Sequence, residues 1–241
     1  MQYHPIQMRP TAQTLQTLAL RNFTILHAHK QDWPGSLILS LGLSPLGAAL
    51  ALASNLAGAV CLSLEEDPAL VHEALRSGAC DFVVNTLDEA IRAMKNEVRK
   101  HLPLSVGLQG NRTQLLAALL ERGVAPQLVT DSDSNATVSN DPSTADSLAT
   151  FVEQGAAQID FRSDETLSPF LHQRGWSAET FPLPTAAALR EFDAQATALL
   201  PPDDTLRRSW LNSARRLFPR ERPPTRTLWL TPQEREVLTK S

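Results

Sequence analysis

Several features that mark particular protein classes are missing from this sequence of 241 residues. Only two cysteines occur, Cys61 and Cys80, which is too few for the disulfide framework of a small secreted domain. The longest apolar run, 46–53, is far shorter than the roughly 20 residues of a membrane-spanning helix. No hydrophobic signal segment is seen near residue 1. We therefore expect a cytoplasmic protein with no membrane partner.

An excess of one charge is also lacking, and so are the patterns of two common kinds of site. The net charge is −4, which does not favour binding to nucleic acid. His27 and His29 are close in sequence, but no third ligand follows, so we expect no metal site. A serine-hydrolase turn needs glycine two residues after the serine, and Leu46 holds that position after Ser44.

The sequence does contain a repeated alternation of apolar strands with helical segments. Strands are predicted at 36–41, 59–64, 80–84, 104–107, 127–130 and 157–161. Helices are predicted between them at 46–56, 67–78, 86–100, 111–122 and 144–154. Continuously apolar strands separated by helices favour a parallel sheet that is covered on both faces. The predicted fold class is therefore α/β, a Rossmann-like parallel sheet with helices on both faces.

The two ends of the chain are patterned differently from this central part. Residues 1–34 are predicted to form an N-terminal arm, with a helix at 11–20 that packs on the core, and 35–165 the Rossmann-like domain. Residues 166–241 are rich in proline and predict a small helical extension that packs on the same core. Its predicted elements are helices at 185–199 and 205–217, an extended stretch at 219–230, and a last helix from Thr231.

The strand, turn and helix that lead from residue 36 to Glu65 resemble a dinucleotide-binding βαβ unit. Gly42 and Gly47 hold the first and third glycine positions of that fingerprint, whereas Ser44 holds the second. Pro45 has no N–H and so removes a donor from the helix start that would face a phosphate. Glu65 ends the second strand, where an acid pairs with ribose hydroxyls. A tight turn without a ligand would use the same glycines, with Glu65 as a surface acid.

Several segments resemble the urocanase (urocanate hydratase) family, in order along most of residues 35–240. Residues 57–62 with Glu65 and Asp67 fit its pattern A-G-A-V-C-L-A-V-E-V-D. Residues 105–111 resemble S-I-G-L-x-G-N, and 128–131 resemble the start of L-V-T-D-Q-T-S-A-H-D. Further similar segments are 155–161, 208–211 and 227–230. The resemblance identifies the chain as a divergent member of this family.

The resemblance implies a cofactor and a set of residues that would hold it. Urocanases use tightly held NAD as an electrophile, add the imidazole of urocanate to the nicotinamide, and so hydrate urocanate in histidine breakdown. By resemblance, the cofactor-binding residues are Gly42, Ser44, Gly47, Glu65, Gly110, Asn111 and Ser134.

The chain departs from the family pattern at several positions of this expected site. Ser44, Pro45 and Ala48 replace glycines, and Leu70 stands in place of an arginine. Of the family's Q-T-S-A-H only the serine, Ser134, is kept, so the cofactor-facing histidine is lost.

Further departures concern the substrate side. Residues 162–164 replace Y-G-N of the family. We also expect the N-terminal substrate domain and the segment with the active-site cysteine to be absent. The resemblance therefore implies no catalytic residue, and NAD binding that is weakened or lost.

Three functions stay open from the sequence. The first is a non-catalytic urocanase relative that binds a nucleotide-like ligand or a partner. The second is an active NAD-dependent hydratase of urocanate or a related compound. The third is a structural or interaction protein, in which Leu43, Leu46 or the polar loop 131–141 fills the crevice. The partner is then a small dinucleotide or none, with no nucleic acid, and a homodimer stays open.

Overall fold

The computed structural model describes residues 12–132, 142–217 and 224–240. Most of the polar loop that follows Ser132, and with it Ser134, lies outside the described residues. Within the described ranges, no helix is both long and apolar enough to cross a membrane.

Six strands form one parallel sheet in the first two thirds of the chain. They are β1 (Leu37–Leu41), β2 (Val60–Glu65), β3 (Phe82–Val84), β4 (Leu104–Gln109), β5 (Leu128–Asp131) and β6 (Ala157–Gln158). Their order across the sheet is β3-β4-β2-β1-β5-β6, and every neighbouring pair is parallel. The Rossmann-like α/β class predicted from the sequence is confirmed.

Helices cover both faces of this sheet. They are α1 (Ala12–His29), α2 (Pro45–Ala57), α3 (Pro68–Ser77), α4 (Leu87–Lys100), α5 (Arg112–Glu121) and α6 (Pro142–Glu153). One apolar core includes residues of α1, α2 and α3, and a second core on the other face includes residues of α4, α5 and α6. The central strands β1 and β2 are buried along their whole length, and apart from Glu65 at the end of β2 their residues are apolar or small.

Local capping explains several helix boundaries. The Asp67 carboxylate accepts a hydrogen bond of 2.8 Å from the Ala69 N–H at the start of α3, with Pro68 at the first helical position. Gly78 ends the same helix with φ of +80°, a left-handed conformation suited to glycine. Thr86 accepts from the Glu89 N–H at 3.4 Å and begins α4. These boundaries agree with those predicted from the sequence.

Helix α1 is longer than the predicted helix at 11–20. Its second half contains polar residues that are buried, so its sequence shows no regular apolar stripe. Asn22 donates to the Leu46 carbonyl at 3.3 Å, and Thr24 accepts from the Trp229 indole N–H at 2.7 Å. Tertiary partners therefore stabilise a helix that the local pattern does not reveal.

The remaining elements form the C-terminal extension, which adds strands to the predicted helices. They are α7 (Leu167–Arg174), β7 (Ser177–Pro182), α8 (Ala186–Leu199), α9 (Thr205–Leu217), β8 (Thr225–Leu230) and α10 (Pro232–Lys240). Strands β7 and β8 pair antiparallel. The sequence predicted neither α7 nor β7, and it predicted only an extended stretch where β8 lies.

Strand β8 joins the extension to α1. The side-chain amide of Gln16 donates to the Thr225 carbonyl at 3.3 Å and accepts from the Thr227 N–H at 2.6 Å. The Arg226 guanidinium forms hydrogen bonds of 2.8 and 3.0 Å with the two carboxylate oxygens of Asp193 on α8. Apolar residues of the extension belong to the same core as α1 and α2.

Candidate functional site

The connections that leave strands β1 and β5 run to opposite faces of the sheet. Helix α2 follows β1 on one face, and α6 follows β5 on the other. In open α/β sheets, ligands bind at such a point, beyond the carboxyl ends of the strands. The backbone after β1, residues 42–44, meets Ser132 after β5 here, and we call this place the switch-point crevice.

The two glycines of the turn are required by the backbone geometry. Gly42 has φ of +93°, and its N–H donates to the Leu64 carbonyl at 2.8 Å. A Cβ on Gly47 would lie 2.2 Å from the Gly42 carbonyl oxygen, a distance that no side chain tolerates. The absence of a side chain at Gly47 therefore lets α2 approach β1 closely. The third glycine of the fingerprint has the same role.

Ser44 uses its hydroxyl within the protein. Its Oγ donates to the Ser132 carbonyl at 2.7 Å, and the Ser132 and Ser40 hydroxyl oxygens lie 3.0 Å apart. Ser44 makes no side-chain hydrogen bond to α2, although it is the residue before that helix. Pro45 is the first helical residue and has no N–H to offer. This serine thus ties the turn after β1 to the end of β5.

Glu65 is the central feature of the crevice, and its side chain is only 1% exposed. Its Oε2 accepts a hydrogen bond of 2.6 Å from the Leu43 N–H, within the glycine turn itself. Its Oε1 accepts from the N–H groups of Glu66 and Asp67 at 2.8 and 2.9 Å. Arg112 adds a guanidinium contact of 3.3 Å to the same oxygen. The carboxylate that was expected to face a ribose therefore points towards the backbone of the glycine turn.

Leu43, whose N–H donates to this carboxylate, is only 3% exposed. Below it, three small residues lie side by side on neighbouring strands, with Ser40 paired to Ser63 and Ser63 paired to Gly107. The Cδ1 of Leu43 lies 3.5 Å from the point that a Cβ on Gly107 would occupy. The Leu43 side chain thus packs towards β4, and the filling of the crevice by Leu43 stays a hypothesis. Leu46 is only half-buried, and the loop after Ser132 lies outside the described residues.

Gly110 and Asn111 lie at the same edge of the sheet. The Gly110 N–H donates to the Glu65 carbonyl at 3.0 Å. The Asn111 side chain caps α5 by accepting from the Gln114 N–H at 3.0 Å, and it donates to a Glu66 carboxylate oxygen at 3.2 Å. The structure thus brings six of the seven predicted cofactor residues to one edge, while the seventh, Ser134, is not described.

Sequence reasoning missed two residues of this site. Arg112 is 6% exposed and holds Glu65, and Ser132 receives the Ser44 hydroxyl. The position of Arg112 directly after Gly110-Asn111 was the only available signal. Nothing in the sequence indicates that this arginine is buried, because arginines at helix starts are usually solvated.

The two thiols offer no nucleophile near the crevice. Burial raises the pKa of the Cys61 thiol to about 11, against weaker opposing hydrogen bonds from Ser63 and Ser54. Burial also raises the pKa of Cys80 well above its ordinary value. Both are therefore protonated at neutral pH. The described residues also contain no group of three or more His, Cys, Asp or Glu side chains that could hold a metal ion.

Three groups of the described crevice that a dinucleotide would use are engaged elsewhere or lack a donor. A pyrophosphate needs N–H donors from the turn and the helix start, and ribose needs carboxylate oxygens. The Leu43 N–H already serves Glu65, the Ser44 hydroxyl serves Ser132, and Pro45 has no donor. Contact of the predicted residues with NAD stays a prediction from the resemblance.

The family of the chain follows from a comparison with known protein families. The family model described as the urocanase Rossmann-like domain matches residues 8–168, well over half of the chain. The match includes all six strands of the parallel sheet and the whole described crevice. The chain therefore belongs to the urocanase family.

Proposed function

We propose that this chain is a non-catalytic member of the urocanase family, in which the Rossmann-like domain acts as a structural or interaction module. The observation that supports this most strongly is the Glu65 carboxylate, which occupies the glycine turn and is almost fully buried. The family makes NAD a plausible ligand, but Glu65 and Ser44 use groups of the turn for hydrogen bonds within the protein.

The energy needed to open the crevice supports the proposal. A pyrophosphate that bonded to the Leu43 N–H would have to displace the Glu65 carboxylate from it. A hydrogen bond to a charged group is worth about 1.5–3 kcal/mol. Losing one such bond without replacement costs at least about 1.5 kcal/mol, which weakens binding about 10-fold or more.

The substitutions near the crevice also argue against hydratase chemistry. By resemblance, residues 132–136 stand where the family has Q-T-S-A-H, and the histidine of that pattern is absent. Ser132, the first of these residues, is 0% exposed and its carbonyl accepts the Ser44 hydroxyl. A residue that fastens the edges of the crevice together is badly placed to contact a nicotinamide.

The competing candidate is an NAD-dependent hydratase, which the retained glycines of the turn favour. Native mass spectrometry and thermal unfolding of freshly purified protein separate the two. We expect no NAD mass, no shift of the melting temperature with added NAD, and no loss of urocanate absorbance beyond a heat-killed control. An active urocanase measured in parallel is the positive control.

Either of two results overturns the proposal. One is co-purified NAD, or stabilisation by added NAD, which reaches about 2.7 kcal/mol at 100 times the dissociation constant. The other is urocanate consumption above the heat-killed control. The same mass spectra report the assembly state and so test independently whether the chain forms a homodimer.

A further inference from the structure

We propose that the switch-point crevice keeps a working anion site, that Glu65 is its built-in occupant, and that removing this side chain opens the site to a small carboxylate such as acetate. We call the site the anion nest and define it as the N–H groups of Leu43, Glu66 and Asp67 together with the Arg112 guanidinium. The inference rests on the proposed function, since a crevice that holds NAD would not be filled by Glu65.

The anion nest is assembled from three separate segments that converge on one carboxylate. Leu43 follows β1, Glu66 and Asp67 follow β2, and Arg112 begins α5. Their donors lie 2.6, 2.8, 2.9 and 3.3 Å from the two oxygens of Glu65. Successive backbone N–H groups that point at one oxygen form a concave anion-binding surface. The donors are thus arranged for an anion whether or not it is attached to the chain.

Because its cation is buried, the anion nest is more stable with an anion bound than without one. Arg112 is 6% exposed, so removing Glu65 takes a carboxylate partner away from a largely buried guanidinium. Backbone N–H groups at the ends of β1 and β2 cannot move away without breaking the turn, where Gly42 is fixed by its bond of 2.8 Å to Leu64. A free anion of the right size would therefore restore a favourable arrangement.

The size of the void selects the ligand. Glu65→Ala removes four heavy atoms, a methylene carbon and the three atoms of the carboxyl group. Acetate has the same number and kinds of heavy atoms.

Two neighbouring carboxylates limit the affinity of the nest for acetate. Glu66 accepts from the Arg112 backbone N–H at 2.8 Å and Asp67 caps α3, so two further carboxylates lie close to the nest. We therefore expect acetate to bind on the order of 10 mM rather than tightly.

Chemical rescue tests the inference. The melting temperature of Glu65→Ala is measured in sodium acetate and in sodium chloride of equal ionic strength near pH 7. We expect acetate at 100 mM to raise it by about 3–5 °C relative to chloride, whereas the wild-type protein melts at the same temperature in both salts. Inorganic phosphate, a larger oxyanion, is the second probe and should give a smaller rise.

Two matched variants make the result specific. Glu65→Gln keeps the side-chain volume, leaves no void, and should not respond to acetate. Glu65→Ala combined with Arg112→Met lacks the cation of the nest and should also lose the response. Equal melting of Glu65→Ala in acetate and chloride overturns the inference, and so does an equal acetate response of Glu65→Gln or of the wild type.

A second measurement covers the case in which Glu65→Ala does not fold in either salt. In wild-type protein labelled with ¹³C and ¹⁵N, scalar couplings across the hydrogen bonds join the Glu65 carboxylate carbon to the amide nitrogens of Leu43, Glu66 and Asp67. Their absence overturns the inference. A wild type that carries NAD overturns the proposed function as well, whereas NAD-free protein without acetate rescue overturns this inference alone.

Discussion

Among the described residues, the switch-point crevice and the C-terminal extension each contain a carboxylate–guanidinium pair in which both side chains are buried. In the crevice, Arg112 contacts Glu65 at 3.3 Å, and backbone N–H groups supply shorter bonds of 2.6–2.9 Å to the same carboxylate. In the extension, Arg226 contacts both oxygens of Asp193, at 2.8 and 3.0 Å. The first carboxylate is shared among several segments, whereas the second is held bidentately by one guanidinium.

On the proposed function, the comparison illustrates how a ligand site can become part of the structural framework. Glu65, Ser44 and Asn111, which the resemblance assigns to a cofactor, form hydrogen bonds within the protein. In the extension, the pair joins α8 to β8. The two pairs should therefore respond differently when one partner is removed. The first of four predictions tests this, and the other three concern single groups of the crevice and the extension.

The largest effect is expected in the extension. Asp193→Ala leaves the Arg226 guanidinium, 1% exposed, without its carboxylate, and should lower the free energy of unfolding by about 3–5 kcal/mol. Urea unfolding measures it. Asp193→Leu with Arg226→Met should cost less than either single change. Arg122→Gln, which breaks an exposed pair with Asp88, is the control with a small effect.

Urea unfolding of two arginine variants tests whether the two pairs really differ. Because backbone N–H groups share the Glu65 carboxylate, Arg112→Met should cost clearly less than Arg226→Met. Equal losses from the two arginine variants would mean that both pairs depend on the guanidinium to the same degree.

The next largest effect concerns the backbone of the crevice. Gly47→Ala places a Cβ 2.2 Å from the Gly42 carbonyl and forces α2 away from β1, which should cost about 2–3 kcal/mol in urea unfolding. Gly107→Ala is the matched control, since its Cβ would meet neighbours at 3.3–3.5 Å and the side chains there can adjust. An equal loss from both variants would contradict the tight approach of helix and strand.

A smaller loss of stability is expected from a change at Ser44, which links the turn after β1 to the end of β5. Ser44→Ala leaves the Ser132 carbonyl without this donor and should cost about 1–2 kcal/mol by thermal or urea unfolding. Ser147→Ala removes an exposed hydroxyl that bonds only within α6 and should have almost no effect. If Ser44→Ala matched Ser147→Ala, the bond to Ser132 would contribute nothing to closing the crevice.

The smallest effect is a pH dependence in the extension. Burial acts to raise the pKa of Glu234, but hydrogen bonds from Arg207 and Thr231 outweigh it and hold this pKa below its ordinary value. A lowered pKa in the folded state contributes stability above the unfolded pKa of about 4.5, and this is lost as pH falls through the folded value. Glu234→Gln should therefore be less stable than wild type at neutral pH, by no more than about 1 kcal/mol, and equally stable in strong acid. A constant difference across pH 3–7 would assign the loss to packing.

The parts of the fold that could be predicted are those with a local cause. Asp67-Pro68 and Thr86 begin helices through bonds to residues two or three positions away, so their signals are complete within a few residues. Strand β7 could not be predicted in this way. Its residues are mostly exposed or half-buried, and its pairing partner β8 lies more than 40 residues later.

The sequence was enough to predict where the candidate site lies, but not which groups its side chains contact. The spacing of Gly42, Gly47 and Glu65 correctly indicated which residues meet at the edge of the sheet. The direction of the Glu65 side chain depends on Arg112, which is 47 positions away, and on backbone donors that every sequence has. Whether an acid faces a ligand or its own backbone is therefore decided by tertiary structure.

The amide of Gln16 has a consequence for how the chain is made. It bonds to Thr225 and Thr227, which are 209 and 211 positions later. During synthesis α1 leaves the ribosome long before these partners exist, so Gln16 stays without them while about 200 residues are added. Contacts of such sequence separation slow folding, and docking of β8 on α1 is expected to be among the last events.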